Sequence, residues 1–171
     1  MNYFEIFQLA PTLHPDRQKL RARFFELSRQ YHPDYFAGSS SLEQEQALEN
    51  SALLNKAYKT FQDSDETIRY VLMLKGLMQE EEKYELPPDF LMEVMDINEQ
   101  LMDLEEEKDK AGLALAINEL EKQIYEPVKE MVETDQEDLP SEEQLLQVKE
   151  YYYKKKYLDR IKKQLNQDKR D

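Results

Sequence analysis

The sequence predicts an all-α chain: an N-terminal domain of four helices followed by a C-terminal antiparallel three-helix bundle. Three observations lead there. The 171 residues include 3 Gly and no Trp, and long stretches lack any breaker, which disfavours a sandwich of short strands joined by many turns. Apolar residues recur at spacings of three and four through most of the chain, the period of a helix buried on one face. A stiff Pro87-Pro88 pair, preceded by the acidic run Glu80-Glu81-Glu82, divides the chain into residues 1–76, a connector over 77–88, and residues 89–171.

Residues 2–9 form a short apolar stretch that Ala10-Pro11-Thr12 breaks. A second helix starts at Asp16, whose carboxylate suits both the free amides and the positive end of a helix. Its inward face is Leu20, Phe24, Leu27 and Tyr31. The tripeptide His-Pro-Asp occurs at both ends of this helix, and the chain's 2 histidines each open one copy. At residues 14–16 it reads as a helix start: Pro15 precedes the first turn, where a missing N–H costs little, Asp16 caps, and His14 is a solvated loop residue. At residues 32–34, Pro33 ends the helix and biases His32 away from helical angles.

After Gly38-Ser39-Ser40-Ser41 a third helix runs from about Leu42 to about Phe61. Its buried stripe reads as Leu48, Ala52, Asn55 or Leu54, Tyr58 and Phe61. A fourth begins near Asp63-Ser64-Asp65, contains Ile68, Val71, Leu72 and Leu74, and stops at Gly76. Beyond the connector, Pro88 suits a first helical turn. Phe90, Val94, Ile97, Leu101 and Leu104 then repeat as an a/d seam. Leu113, Ile117, Leu120, Ile124, Val128 and Met131 make a second seam that Pro127 should kink. Val148, Tyr151, Leu158, Ile161 and Leu165 form the stripe of the last helix, and residues 166–171 are a polar tail.

Composition narrows the function. Cys is absent, which excludes disulfides, a thiolate nucleophile and thiolate-held metals. Neither His has Glu three residues before it, so a carboxylate–histidine metal pair is not expected. No phosphate-binding glycine loop or placeable nucleophile–base pair is present. The expectation is a non-enzymatic protein without cofactor. The net charge is -14, and it is uneven: 9 basic and 10 acidic side chains over residues 1–76 (net −1), against 14 and 27 in the rest (net −13). Such a chain repels nucleic acid and anionic membranes, and no apolar run is long enough to span a bilayer. Without a basic leader, the expected location is the cytosol.

Two constellations stand out. On the second helix, Lys19, Arg23 and Arg29 fall away from the apolar stripe, with few acidic partners beside them. This local reversal of field suits an acidic partner surface and leads directly into His32-Pro33-Asp34. On the helix after Pro88, Leu91, Met92, Met95 and Met102 lie off the core stripe, interleaved with Asp96, Glu99 and Asp103. Exposed methionines form adaptable protein-binding surfaces. Leu146, Tyr153 and Tyr157 repeat the off-core pattern on the last helix, and from spacing alone docking on a partner and packing within the protein or a second copy stand nearly even.

Arg29-Gln30-Tyr31-His32-Pro33-Asp34, followed by Leu54-Asn55-Lys56-Ala57-Tyr58, resembles the J-domain signature. The start Met1-Asn2-Tyr3-Phe4, the segment Phe90-Leu91-Met92-Glu93 and Tyr157-Leu158-Asp159-Arg160 extend the resemblance along the chain to the HscB family of iron–sulfur co-chaperones. That resemblance implies docking on a DnaK-type chaperone (HscA) and stimulation of its ATPase, with His32, Pro33, Asp34, Lys19, Arg23 and Arg29 at the interface. It implies an IscU-type scaffold protein as the second partner, held by Leu91, Met92, Met95, Asp96, Glu99, Asp103 and Tyr157. The Tyr at 157 stands where Phe is usual in the family, and the Pro127 interruption and the run Tyr151-Tyr152-Tyr153-Lys154-Lys155-Lys156 are departures. The chain lacks the Cys-bearing extension of some eukaryotic relatives, which favours a bacterial cytoplasmic protein. The alternatives are a J-domain adaptor for a different client, or a helical interaction protein with an inactive J-domain.

Overall fold

The computed structural model describes residues 1–104, 107–134 and 138–167, with the side chains of 107 and 108 left aside. Every regular element among the described residues is helical. The chain divides into two compact units, Met1–Lys75 with Glu133–Ser141, and Gly76–Val132 with Glu142–Asp171.

The first unit is built from α1 (Tyr3–Phe7), α2 (Arg17–Gln30), a 3-10 turn (Pro33–Phe36), α3 (Ser41–Gln62) and α4 (Ser64–Leu74). Each helix start carries its own stop on fraying. Asn2 accepts the amides of Phe4 and Glu5 while Glu5 reaches back to the Asn2 amide, a reciprocal cap for a helix of one turn. Asp16 accepts the amides of Gln18 at 2.9 Å and Lys19 at 3.0 Å. The bond from Lys19 leads the causes that hold the Asp16 carboxyl below its ordinary range. The first His-Pro-Asp is therefore a cap, with His14 exposed and Pro15 buried beneath it. Ser40 and Glu43 form a second reciprocal cap on α3, and Asp63 caps α4.

The core joins Phe4, Ile6 and Phe7 of α1 to Leu20 and Leu27 of α2, Ala47, Leu54, Ala57 and Phe61 of α3, and Ile68, Val71 and Leu72 of α4. Phe24 stacks on Tyr58, ring centroids 4.0 Å apart. The expected α3 stripe needs correction: Leu54 is buried, but Leu48, Ala52 and Asn55 are exposed, with Ala47 facing inward instead. Leu74 also stays exposed at the end of α4. Gly76 follows at φ 70, the left-handed geometry that ends a helix at no steric cost to glycine.

The second unit holds α5 (Pro88–Met102), α6 (Glu107–Tyr125), a 3-10 turn (Glu126–Val128), α7 (Lys129–Glu133) and α8 (Glu142–Gln167). Side-chain pairings fix its directions. Glu121 pairs with Lys162 while Tyr125, one turn later, packs on Tyr151, so α6 and α8 run antiparallel. Phe90 at the start of α5 lies against Tyr157 and Lys154 of α8 and shares a groove with Leu120 and Ile124 near the end of α6. α5 is thus antiparallel to α6 and parallel to α8, an up-down-up bundle. Its core is Phe90, Val94, Ile97, Leu113, Ile117, Leu120, Leu158 and Ile161 with their neighbours. Pro127 acts as foreseen: α6 ends two residues earlier, a 3-10 turn carries Pro127, and Val128 and Val132 resume the buried stripe.

The connector is not a bare spacer. Lys149 Nζ donates to Glu82 Oε1 at 2.7 Å, and the Tyr153 hydroxyl donates to Glu82 Oε2 at 3.1 Å. Tyr84 stacks on Tyr153 with centroids 4.5 Å apart. These contacts lay residues 82–84 along α8.

Candidate functional site

The loop after α2 is held by short-range bonds. His32 has extended angles and caps the 3-10 turn: the Asp34 amide donates to His32 Nδ1 at 3.3 Å, and the Tyr35 amide donates to the His32 carbonyl at 3.0 Å. The Asp34 carboxylate lies 3.5 Å from the same nitrogen, so Nδ1 is turned into the loop and Nε2 is left to face a partner. Pro33 fixes the backbone between them. The Asp34 side chain is 91% exposed and the His32 side chain 54%. A carboxylate and a ring nitrogen therefore stand at the surface in one geometry, with no buried structural role competing for them.

A groove of about 720 Å³ runs beside this loop, lined by Phe25, Ser28, Arg29, His32, Asp34 and Tyr35. Lys19 and Arg29 are exposed as the sequence pattern requires. Arg23 is not free in the same way. Its guanidinium is bonded to the Phe7 carbonyl at 3.3 Å, to the Gln8 side chain and to Glu26, so it clamps α1 to α2. Sequence reasoning passed over Phe25 and Tyr35, which are 51% and 72% exposed. A signal existed: Phe24 and Phe25 are adjacent and lie about 100° apart on a helix, so both cannot face one core. Arg21 sits 5.7 Å from the Phe25 ring and adds to the cationic, aromatic character of this face.

On the second unit, α5 turns Phe90, Val94 and Ile97 inward and leaves Leu91, Met92 and Met95 at the surface. Asp96 and Glu99 are exposed on the same helix, and Asp103 is exposed at the cap that ends it. Tyr157 joins them from α8: it is half-buried, and its ring meets Phe90 edge-on at 6.3 Å. All seven residues singled out on this unit thus gather on α5 and the neighbouring edge of α8. Tyr153 is the exception in the α8 row, because Tyr84 and Glu82 cover it, whereas Leu146 stays 46% exposed. Among the described residues, no three His, Cys, Asp or Glu assemble as a metal site, and no helix is long and apolar enough to cross a membrane.

A helical unit that ends a cationic helix in an exposed His-Pro-Asp loop, followed by a helical bundle with an open apolar face, is the arrangement that J-type co-chaperones share. Residues 86–166 match the family model described as the HSCB C-terminal oligomerisation domain. The crystal structure of human co-chaperone HscB superposes with a TM-score of 0.74 at 27% identity, over 99% of this chain and 83% of that one. Chaperone HscB from Vibrio cholerae shares the fold, with a TM-score of 0.68 at 24% identity over 99% of this chain and 98% of that one. The C-terminal part of the chain is thus similar to the HSCB C-terminal domain, and the chain as a whole shares the fold of human co-chaperone HscB.

Proposed function

We propose that this protein binds an IscU-type iron–sulfur scaffold protein, delivers it to a DnaK-type chaperone of the HscA kind and stimulates that chaperone's ATPase. Residues 1–76 act as the J-domain and residues 89–171 as the scaffold-binding domain, with 77–88 as the link between them. The protein works in the bacterial cytoplasm and performs no covalent chemistry of its own. The observation that supports this reading is that each unit leaves one expected face exposed: the His32–Asp34 loop on the first, and the Met92/Met95 face of α5 on the second.

Each face has a physical task. His32, Pro33 and Asp34 present a ring nitrogen and a carboxylate acceptor in a fixed loop, and Lys19 and Arg29 supply the positive field that attracts an acidic chaperone surface. Pairing with only one conformation of the chaperone shifts its population toward the hydrolysing state, which is all that a regulator without catalytic groups requires. Leu91, Met92, Met95 and Tyr157 form the apolar centre of the second face, while Asp96, Glu99 and Asp103 supply its polar rim. Holding the scaffold on the same molecule raises its effective concentration at the chaperone.

Single-turnover ATP hydrolysis by the chaperone tests the loop assignment. His32→Gln is expected to abolish stimulation, and His14→Gln, in the duplicate motif that serves as a helix cap, to leave it intact. Equal behaviour of the two variants would refute it.

A further inference from the structure

α8 carries an excess of cations in an otherwise acidic chain, and the structure sorts them into two groups. Lys149 pairs with Glu82, Lys154 with Glu150, Lys155 with Asp159, and Lys162 with Glu121. Arg160 and Lys163 carry no ion pair among the described residues, and Lys156 rests only on the Tyr152 ring, 5.6 Å away. All three are exposed. They also share one stripe, because positions 156, 160 and 163 recur at four and three on a helix. Cations scattered for solubility alone have no reason to divide in this way.

The stripe has a defined neighbour. Arg160 lies about 60° round α8 from Tyr157, on the side away from the core. Tyr157 in turn borders α5 through Phe90. The groove that Glu93 lines takes in residues of both α6 and α8, but on α6 it uses the Gln123 side, whereas Glu121 and Tyr125 on the opposite side meet α8; in an up-down-up bundle this turns the Glu93 edge of α5 to α6 and the Leu91/Met95 edge to α8. Asp96, Glu99 and Asp103 occupy the outer side of α5, and they too carry no ion pair among the described residues. The face therefore reads, from one border to the other, as an acidic row, an apolar seam of Leu91, Met92 and Met95 closed by Tyr157, and a basic row.

We propose that this face is bipolar, and that Arg160, with Lys156 and Lys163, is its second electrostatic rail. This rests on the scaffold-binding reading above and adds to it the chemistry of the partner. The scaffold surface that docks here carries cations opposite α5 and carboxylates opposite α8, on either side of an apolar patch. Two rails of opposite sign fix one orientation, because a partner turned end for end meets like charge on both borders. A single acidic rail attracts a basic partner without setting its direction.

The test is association of the full-length chain with an IscU-type scaffold protein, followed by stopped flow at low salt and at about 1 M salt, where the screening length falls to about 3 Å. Arg160→Glu/Lys163→Glu is expected to slow association about tenfold at low salt and to converge with the parent chain at high salt, since rim charges act on the on-rate. Arg160→Gln/Lys163→Gln is expected to fall between the two. Met92→Ala is expected to speed dissociation at both salt levels. An undiminished or faster on-rate for the double reversal, with Met92→Ala still weakened, overturns the basic rail and leaves the scaffold reading standing. Indifference to Met92→Ala as well overturns both.

Discussion

Glu82→Gln isolates the contact that fixes the connector. Glutamine keeps the shape of the side chain and one acceptor oxygen, so the Tyr153 hydroxyl retains a partner. The charge is lost, and with it the 2.7 Å charge-assisted bond to Lys149. The Lys149 side chain is only 12% exposed and the Glu82 side chain 25%, so the pair is neither fully solvated nor deeply buried. A hydrogen bond to a charged group contributes about 1.5–3 kcal/mol, and partial solvent screening brings the expected cost here to about 1–2 kcal/mol. The Lys149 bond leads the causes that hold the Glu82 carboxyl below its ordinary range. The linkage then has a definite sign. A depressed carboxyl contributes stability that is present above its unfolded value, about 4.3, and is lost as pH falls through the lower folded value. Urea unfolding reads the loss. The parent chain is expected to be about 1–2 kcal/mol more stable than Glu82→Gln at pH 7. The gap should narrow as the pH falls below about 4.3 and close once the lower folded value has been passed. Equal stability at pH 7, or a gap that persists undiminished in acid, would show that the ion pair does not hold the connector. The contact bears on function because residues 82–84 lead through Pro87 into α5, the helix that carries Leu91 and Met92.

Three further substitutions separate packing from recognition in the first unit. Asp63→Ala removes the acceptor of the Asp65 and Glu66 amides at the start of α4 and is expected to cost about 1 kcal/mol in urea unfolding, the usual loss for a cap. Arg23→Gln and Arg29→Gln are expected to differ in kind. The first loosens the α1–α2 clamp and lowers the unfolding midpoint, whereas the second leaves the midpoint in place and slows chaperone association several-fold at low salt.

Much of this was legible in the residues, and the exceptions share a cause. Local signals were reliable because they are short-range physics: Asp16, Asp63 and Gly76 act within one turn of their own position, and Pro127 interrupts α6 where its ring and missing N–H require. The α3 stripe was ambiguous because Leu48 and Leu54 both fit a helical period, and only the position of Phe61 against Phe4 and Phe7 decides which side is inside. Arg23 looked like a surface cation because its acceptors, the Phe7 carbonyl and Gln8, lie on another element. Tyr153 looked as open as Tyr157 because nothing in the α8 period announces that Glu82 and Tyr84 cover one and not the other. Periodicity gives the face of a helix; what lies across from that face is tertiary information.

The central claim is that one molecule joins scaffold and chaperone, and complementation in trans tests it most directly. His32→Gln disables the loop and keeps the α5 face, whereas Met92→Ala/Met95→Ala disables the face and keeps the loop. Each is assayed alone and then both together for scaffold-dependent stimulation of the chaperone's ATPase at subsaturating scaffold. If delivery requires both faces on one chain, the mixture stays as low as its better component. Recovery to the level of the parent protein would mean that the two faces act independently, and that the chain does not carry its client to the chaperone.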